Sequence, residues 1–231
     1  MNILITGGSK GIGMEAAKAL SENKNNKIVI TGRDMTALKK AASGSSFGNI
    51  HCIGFDLTHL IEKKELFVKQ VKEIFNSIDI LINNAGYLVN KKFEDYNEKD
   101  IRLMMEVNFF APALLIKTLL SFMHKGSHIV NISSMGGYQG SAKFPGLSCY
   151  SASKAAIACL TECLAVELSE KGVSVNCLSP GSVDTEMFQK AFPNLKANLS
   201  SKEMGELVAW FAVNGNKYFN GKIIPVSFAT P

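Results

Sequence analysis

No linker, internal repeat, low-complexity tract or block of like charge interrupts the 231 residues. That excludes a string of modules and leaves a chain long enough for one sizeable core in a single domain, 1–231. Cysteine is sparse, and its five positions (Cys52, Cys149, Cys159, Cys163, Cys177) are odd in number and lack metal-ligand spacing. A disulfide framework and a metal site are therefore not expected; free, mostly buried thiols in a reducing cytosol are. Cys159 and Cys163, four apart, are expected to pack on one helix face. No lysine/arginine cluster carries the net charge of +5, which implies weak attraction for anions and no nucleic-acid partner. The longest apolar runs, such as FFAPALLI, are too short to cross a bilayer. The opening MNILITGG enters a strand-like run at once, with no room for a signal peptide, so a cytoplasmic protein without a membrane partner is expected.

What is present is alternation. Short β-branched runs at 2–6, 27–31, 50–55, 78–83, 127–133, 173–179 and 222–227 are nearly continuous in apolar residues, as strands buried on both faces should be. Helix-length segments lie between them, at roughly 11–23, 34–43, 59–76, 97–124, 148–171 and 200–213. Strand–helix–strand repetition predicts a Rossmann-like, doubly wound α/β fold: a parallel sheet of about seven strands with helices on both faces. In such sheets ligands bind beyond the carboxyl ends of the strands, where the strand order reverses.

The residues after each strand are therefore the candidates. TGGSKGIG follows strand one, and its glycines permit a tight turn that leads into a helix N-terminus, a diphosphate cradle. Its spacing, G-x-x-x-G-x-G, differs from the usual dinucleotide fingerprint. TGRD follows strand two; Arg33, with Lys10 from the glycine turn, favours the 2′-phosphate of NADP over the free ribose of NAD, and solvated surface charges are the plain alternative. Asp56 after strand three suits either an adenine amino group or a helix cap. NNAG (83–86) follows strand four. Ser133 and Ser134 follow strand five, and only one can face the site if the backbone stays extended. SPGSVDT follows strand six. In SCYSASKAAIACL, Tyr150 and Lys154 share one face of a helix, a spacing that is uninformative alone.

In order and spacing, TGGSKGIG, NNAG, NISS, YSASK and PGSVDT resemble the short-chain dehydrogenase/reductase family across residues 2 to about 227. The resemblance implies an oxidoreductase that moves hydride between NADP(H) and a small carbonyl or alcohol. It assigns Tyr150 as acid/base, Lys154 as its partner, Ser134 as the carbonyl-binding serine, and Asn108 in MEVNFFAP as the holder of a relay water. It places the cofactor against Gly7, Ser9, Lys10, Gly11, Ile12, Gly13, Arg33, Asp56, Leu57, Asn83, Ala85, Gly86, Tyr150, Lys154, Pro180, Gly181, Val183 and Thr185. A cation one turn from Tyr150, with the charge of the oxidised nicotinamide nearby, is expected to lower a phenol pKa that starts near ~10.

The 135–149 segment is longer than is usual in the family, with Tyr138, Phe144 and Leu147 as candidates for one substrate wall. Met187, Phe188 and Phe192 belong to a lid, which points to an apolar carbonyl compound. Helices 97–124 and 148–171 are the expected faces of a homodimer or homotetramer. A 3-oxoacyl-thioester reductase and a non-catalytic dinucleotide sensor are the alternatives.

Overall fold

In the computed structural model, which describes residues 1–228, the alternation becomes one doubly wound domain. Residues 229–231, the end of the expected domain, lie outside the described residues. Strands β1 (Asn2–Thr6), β2 (Lys27–Gly32), β3 (Ile50–Gly54), β4 (Ile78–Asn83), β5 (Met123–Ile132), β6 (Ser174–Pro180) and β9 (Ile223–Val226) pair in parallel. Their order is β3-β2-β1-β4-β5-β6-β9, the seven-stranded sheet expected. A parallel pair of two residues each, β7 (Val183–Asp184) and β8 (Leu199–Ser200), forms a second small sheet. The chain winds outward from β1 in one direction and from β4 in the other, so a crevice opens at their carboxyl ends.

The helices are α1 (Gly11–Ser21), α2 (Met35–Ala42), α3 (Lys64–Lys72), α4 (Glu98–Met105), α5 (Ala111–Leu119), α6 (Ser148–Glu167), α7 (Glu186–Ala191) and α8 (Ser201–Asn214). Alternate strand residues divide between two cores, as the two-residue strand period requires. Ile3, Ile5, Ile28 and Ile30 pack under α1, α2 and α8 with Leu20, Leu38 and Met204. Leu4, Val29 and Leu81 pack on the other face with Phe67 of α3, Leu115 of α5 and Ala165 of α6. Each fully buried aliphatic side chain of this kind contributes about 1.5–3 kcal/mol.

Three features differ from the sequence expectation. The helix expected at 59–76 is a 3-10 turn, Leu57–His59, followed by α3; Leu60 and Phe67 still reach the same core although the chain leaves helical geometry at Lys63. Two helices, Glu98–Phe122 and Ser148–Glu167, are long and apolar enough by composition to cross a membrane, which the short apolar runs did not suggest; both bury residues against the sheet. The five cysteines are free, but only Cys177 is buried: Cys159 and Cys163 are exposed, on the side of α6 turned away from the sheet. Among the described residues no group of three or more His, Cys, Asp or Glu side chains is placed to hold a metal ion.

His128, in the middle of β5, is buried. Its Nε2 accepts from the Asn176 amide at 3.0 Å, which leaves Nδ1 to donate to the Ala212 carbonyl at 2.9 Å, joining β5, β6 and α8. Burial pushes its pKa down to about 4. The folded pKa is below the unfolded one, so this contribution is present above about 6.5 and is lost as pH falls toward 4. Denaturant titrations at pH 7.5 and 5.0 are expected to show a loss of about 1–2 kcal/mol from this group at the lower pH, and His128→Gln to shrink the difference by that amount. An unchanged pH difference in the variant would refute the assignment.

Candidate active site

The turn after β1 is shaped by its missing side chains. Gly7 sits at φ +67°, and its N–H and that of Gly8 donate to the Thr31 carbonyl of β2 at 2.8 and 3.3 Å. A side chain at Gly13 would come within 2.3 Å of Asn84 Nδ2. That space belongs to Asn84, whose amide donates to the carbonyls of Thr6 (3.0 Å) and Gly7 (3.1 Å). The N–H groups of Asn84 and Ala85 in turn donate to the Thr6 hydroxyl at 3.0 and 2.9 Å. The sequence pointed to the whole NNAG stretch, 83–86, but the cofactor contacts expected there were Asn83, Ala85 and Gly86, without Asn84. Asn83 lies beneath the cavity instead, donating to Asn131 Oδ1 at 2.8 Å, while Asn131 donates to Thr161 at 2.9 Å.

A cavity of about 660 Å³ runs along the carboxyl ends of the strands. Gly7, Ser9, Lys10, Gly11 and Ile12 line it from the glycine turn, and Gly13 stands behind them. α1 begins without a side-chain cap and without an acidic residue in its first turn, so its N-terminal N–H groups and positive dipole end are open to this space. A diphosphate fits such a helix start.

Arg33 lines the cavity from the end of β2. The Asp34 carboxylate accepts from Ala37 N–H at 3.1 Å and so caps α2. Asp56 and Leu57 also line the cavity, and the carboxylate of Asp56 accepts from Thr58 N–H (3.1 Å) and its hydroxyl (2.9 Å), the cap anticipated as the plain alternative. Ala85, Gly86, Pro180, Gly181, Val183 and Thr185 complete this half.

At the other end the serine pair separates by function. The Ser133 hydroxyl donates to the Lys154 carbonyl at 2.7 Å, fastening β5 to α6. Ser134, in extended backbone, turns the other way; its hydroxyl accepts from Gly136 N–H at 3.2 Å and hydrogen-bonds the Tyr150 side chain. Lys154 Nζ donates to the Ile132 carbonyl at 2.8 Å and lies 5.9 Å from the centre of the Tyr150 ring.

Burial pushes the Tyr150 hydroxyl up to about 12, with the Ser134 hydrogen bond pulling the other way, and pushes the Lys154 amine down to about 8. The sequence expectation was a phenol lowered by its lysine together with the charge of an oxidised nicotinamide. In the protein as it stands desolvation wins, and the phenol keeps its proton at neutral pH.

Asn108 does not line the cavity. It sits in a π-helical turn, Glu106–Phe110, between α4 and α5. Its Oδ1 accepts from Tyr87 N–H at 2.8 Å, and its amide donates to the Tyr87 carbonyl (2.8 Å) and the Ser153 hydroxyl (2.9 Å). A side chain at Gly86 would lie 3.4 Å from Lys154 Nζ and 3.5 Å from Asn108 Oδ1, so the glycine keeps a gap open between the two.

Over the Tyr150 end, Phe144 and Leu147 form one wall and Met187, Phe188, Phe192 and Leu195 another. Tyr138, expected in the first wall, is outside it; its carbonyl accepts from Lys143 Nζ at 2.7 Å. The second wall is carried by α7, a short helix that sequence reasoning did not find, and by the segment that follows it. Thr185 caps it by accepting from Phe188 N–H at 3.2 Å, and Asn90 secures its end by donating to the Ala191 carbonyl at 2.8 Å.

A family model described as short chain dehydrogenase matches residues 1–196. The chain belongs to that family. An uncharacterized oxidoreductase of Staphylococcus aureus (strain MRSA252) is 31% identical to it over 225 residues, covering 96% of this chain and 95% of the relative. Among solved structures, a short chain dehydrogenase from Burkholderia cenocepacia J2315 in complex with NADP superimposes with a TM-score of 0.88 at 27% identity, over 99% of this chain and 96% of that one. The Pseudomonas aeruginosa RhlG/NADP active-site complex does so with a TM-score of 0.87 at 26% identity, over 98% and 94%. This short-chain dehydrogenase is thus an oxidoreductase. Its Ser134, Tyr150 and Lys154 meet at one end of a single cavity whose other end is the glycine-lined start of α1.

Proposed function

We propose that the protein is an NADP(H)-dependent carbonyl reductase or alcohol dehydrogenase acting on an apolar substrate. The observation that carries this reading is the buried Tyr150 hydroxyl, hydrogen-bonded to Ser134 beside the Lys154 amine and open to the apolar end of the cavity. A bound nicotinamide dinucleotide would supply the hydride, or accept it in reverse. Tyr150, protonated at neutral pH, gives its hydroxyl proton to the substrate oxygen as negative charge develops there. Ser134 donates a second hydrogen bond to the same oxygen. Lys154 retains its charge on most molecules at pH 7 and stabilises the phenolate that remains. The gap at Gly86, bounded by Lys154 Nζ and Asn108 Oδ1, is the place for a relay water that returns a proton.

The preference for NADP(H) is supported by Arg33 on the cavity rim and by the place of Asp34, which caps α2 and is not among the residues that line the cavity. Phe144, Leu147, Phe188 and Phe192 favour an aromatic or long aliphatic carbonyl compound. The test is NADPH absorbance with a panel of aromatic ketones, aliphatic aldehydes and a 3-oxoacyl thioester, with NADH in parallel. Oxidation of NADPH by an apolar ketone or aldehyde is expected. NADPH binding without oxidation by any carbonyl would favour a sensing protein, and equal rates with NADH would remove the role given to Arg33.

A further inference from the structure

Lys10 and Glu186 meet across the rim of the cavity. Lys10 immediately precedes α1 on the glycine turn, Glu186 opens α7, both line the cavity, and their side chains form an ion pair at 2.5 Å. Lys190, one turn along α7, takes the other carboxylate oxygen. Beside the pair, the Thr185 methyl stands 3.4 Å from where a Gly11 Cβ would be, so the start of α7 rests on the turn where α1 opens. Among the described residues, Lys10–Glu186 is the only side-chain hydrogen bond between the glycine turn and α7. Its two lysines hold the Glu186 carboxyl down at about 2, so it is charged at any ordinary working pH. The two cations of the rim therefore differ. Arg33 has no ion pair among the described residues, whereas the charge of Lys10 already faces a carboxylate.

We propose that Glu186 sets how strongly this protein prefers a 2′-phosphorylated adenosine ribose, by occupying Lys10. The proposal rests on the dinucleotide reading above. A phosphate approaching Lys10 must displace the carboxylate or share the lysine with it, and the two anions repel each other. A ribose with a free 2′-hydroxyl brings no such charge and leaves the pair intact. Glu186 thereby holds back a preference that Lys10 and Arg33 together would otherwise express in full. Lys10 and Glu186 are 65% and 46% exposed, so solvent screens the competition and its effect is moderate.

Adenosine 2′,5′-bisphosphate and adenosine 5′-monophosphate differ only in the 2′-phosphate and reach neither the nicotinamide end nor Tyr150. Their dissociation constants are to be measured by calorimetry on the wild type, Glu186→Gln, Lys10→Met and the double variant. Glu186→Gln is expected to raise the ratio of bisphosphate to monophosphate affinity by about three- to fivefold, the size of a partly exposed charge pair. Lys10→Met is expected to lower that ratio, and the double variant to show no gain over Lys10→Met alone. A ratio unmoved by Glu186→Gln overturns the proposal. So does a gain that persists without Lys10, which would make Glu186 a general source of negative field. If the wild type binds neither nucleotide, the dinucleotide reading falls and takes this proposal with it; if it binds both with an unmoved ratio, this proposal alone falls.

Discussion

Tyr150→Phe is expected to lower kcat/KM by about 10²- to 10⁴-fold, the usual span for loss of a general acid, while dinucleotide affinity stays within about twofold. Phenylalanine keeps the ring that Lys154 packs against and removes only the hydroxyl held by Ser134, so the loss should fall on proton transfer. Steady-state kinetics and a separate binding titration check both halves. A variant within about tenfold of wild type would sink the role given to the phenol. The same assignment fixes a pH dependence. With Tyr150 near 12 and Lys154 near 8, reduction should slow as pH rises through about 8, where the lysine loses the charge that steadies the phenolate. A rate still flat at pH 9.5 would place that stabilising charge elsewhere.

Gly13→Ala should have the second largest effect, on binding. The added methyl would lie 2.3 Å from Asn84 Nδ2 and 2.6 Å from the Gly7 carbonyl, well inside contact distance. Either Asn84 withdraws from the carbonyls of Thr6 and Gly7, or the glycine turn shifts and takes the open N–H groups of α1 with it. Overpacking of this kind costs about 1–3 kcal/mol. Displaced from the cradle, the same strain should weaken dinucleotide binding by about tenfold or more. Thermal unfolding and a dinucleotide titration read the two consequences separately. Wild-type affinity in the variant would show that the turn does not hold the diphosphate.

The sheet was legible because its strands are buried on both faces, which writes nearly continuous apolar runs such as NILIT and IDILIN into the chain. α7 was not, because six residues carry too little periodicity to stand out and only the Thr185 cap marks the start. The glycine turn could be read for its freedom of φ, yet the residue that fills the space beside it, Asn84, is 71 positions away from Gly13 (84 − 13) and becomes its neighbour only through the pairing of β1 with β4. The serine pair followed from extended geometry: adjacent hydroxyls must diverge, and Ser133 does turn to the Lys154 carbonyl. The burial that raises the phenol's pKa could not be read from the sequence for a related reason. Spacing shows a lysine one turn away, but the burial that outweighs it is a property of the folded chain.

The π-helical turn at Glu106–Phe110 also constrains how this chain can change in length. A π turn holds one residue more than the α-helix around it, and each residue turns a helix by about 100°. Deleting a single residue between Met105 and Ala111 would restore a regular helix and swing the Asn108 amide away from the Tyr87 backbone, or else leave Asn108 in place and rotate α5, with Leu115 and Ile116, out of the core. The stretch therefore tolerates substitution more readily than deletion, and a homologue aligned with a one-residue gap here should carry its amide, or its hydrophobic helix face, at a different position.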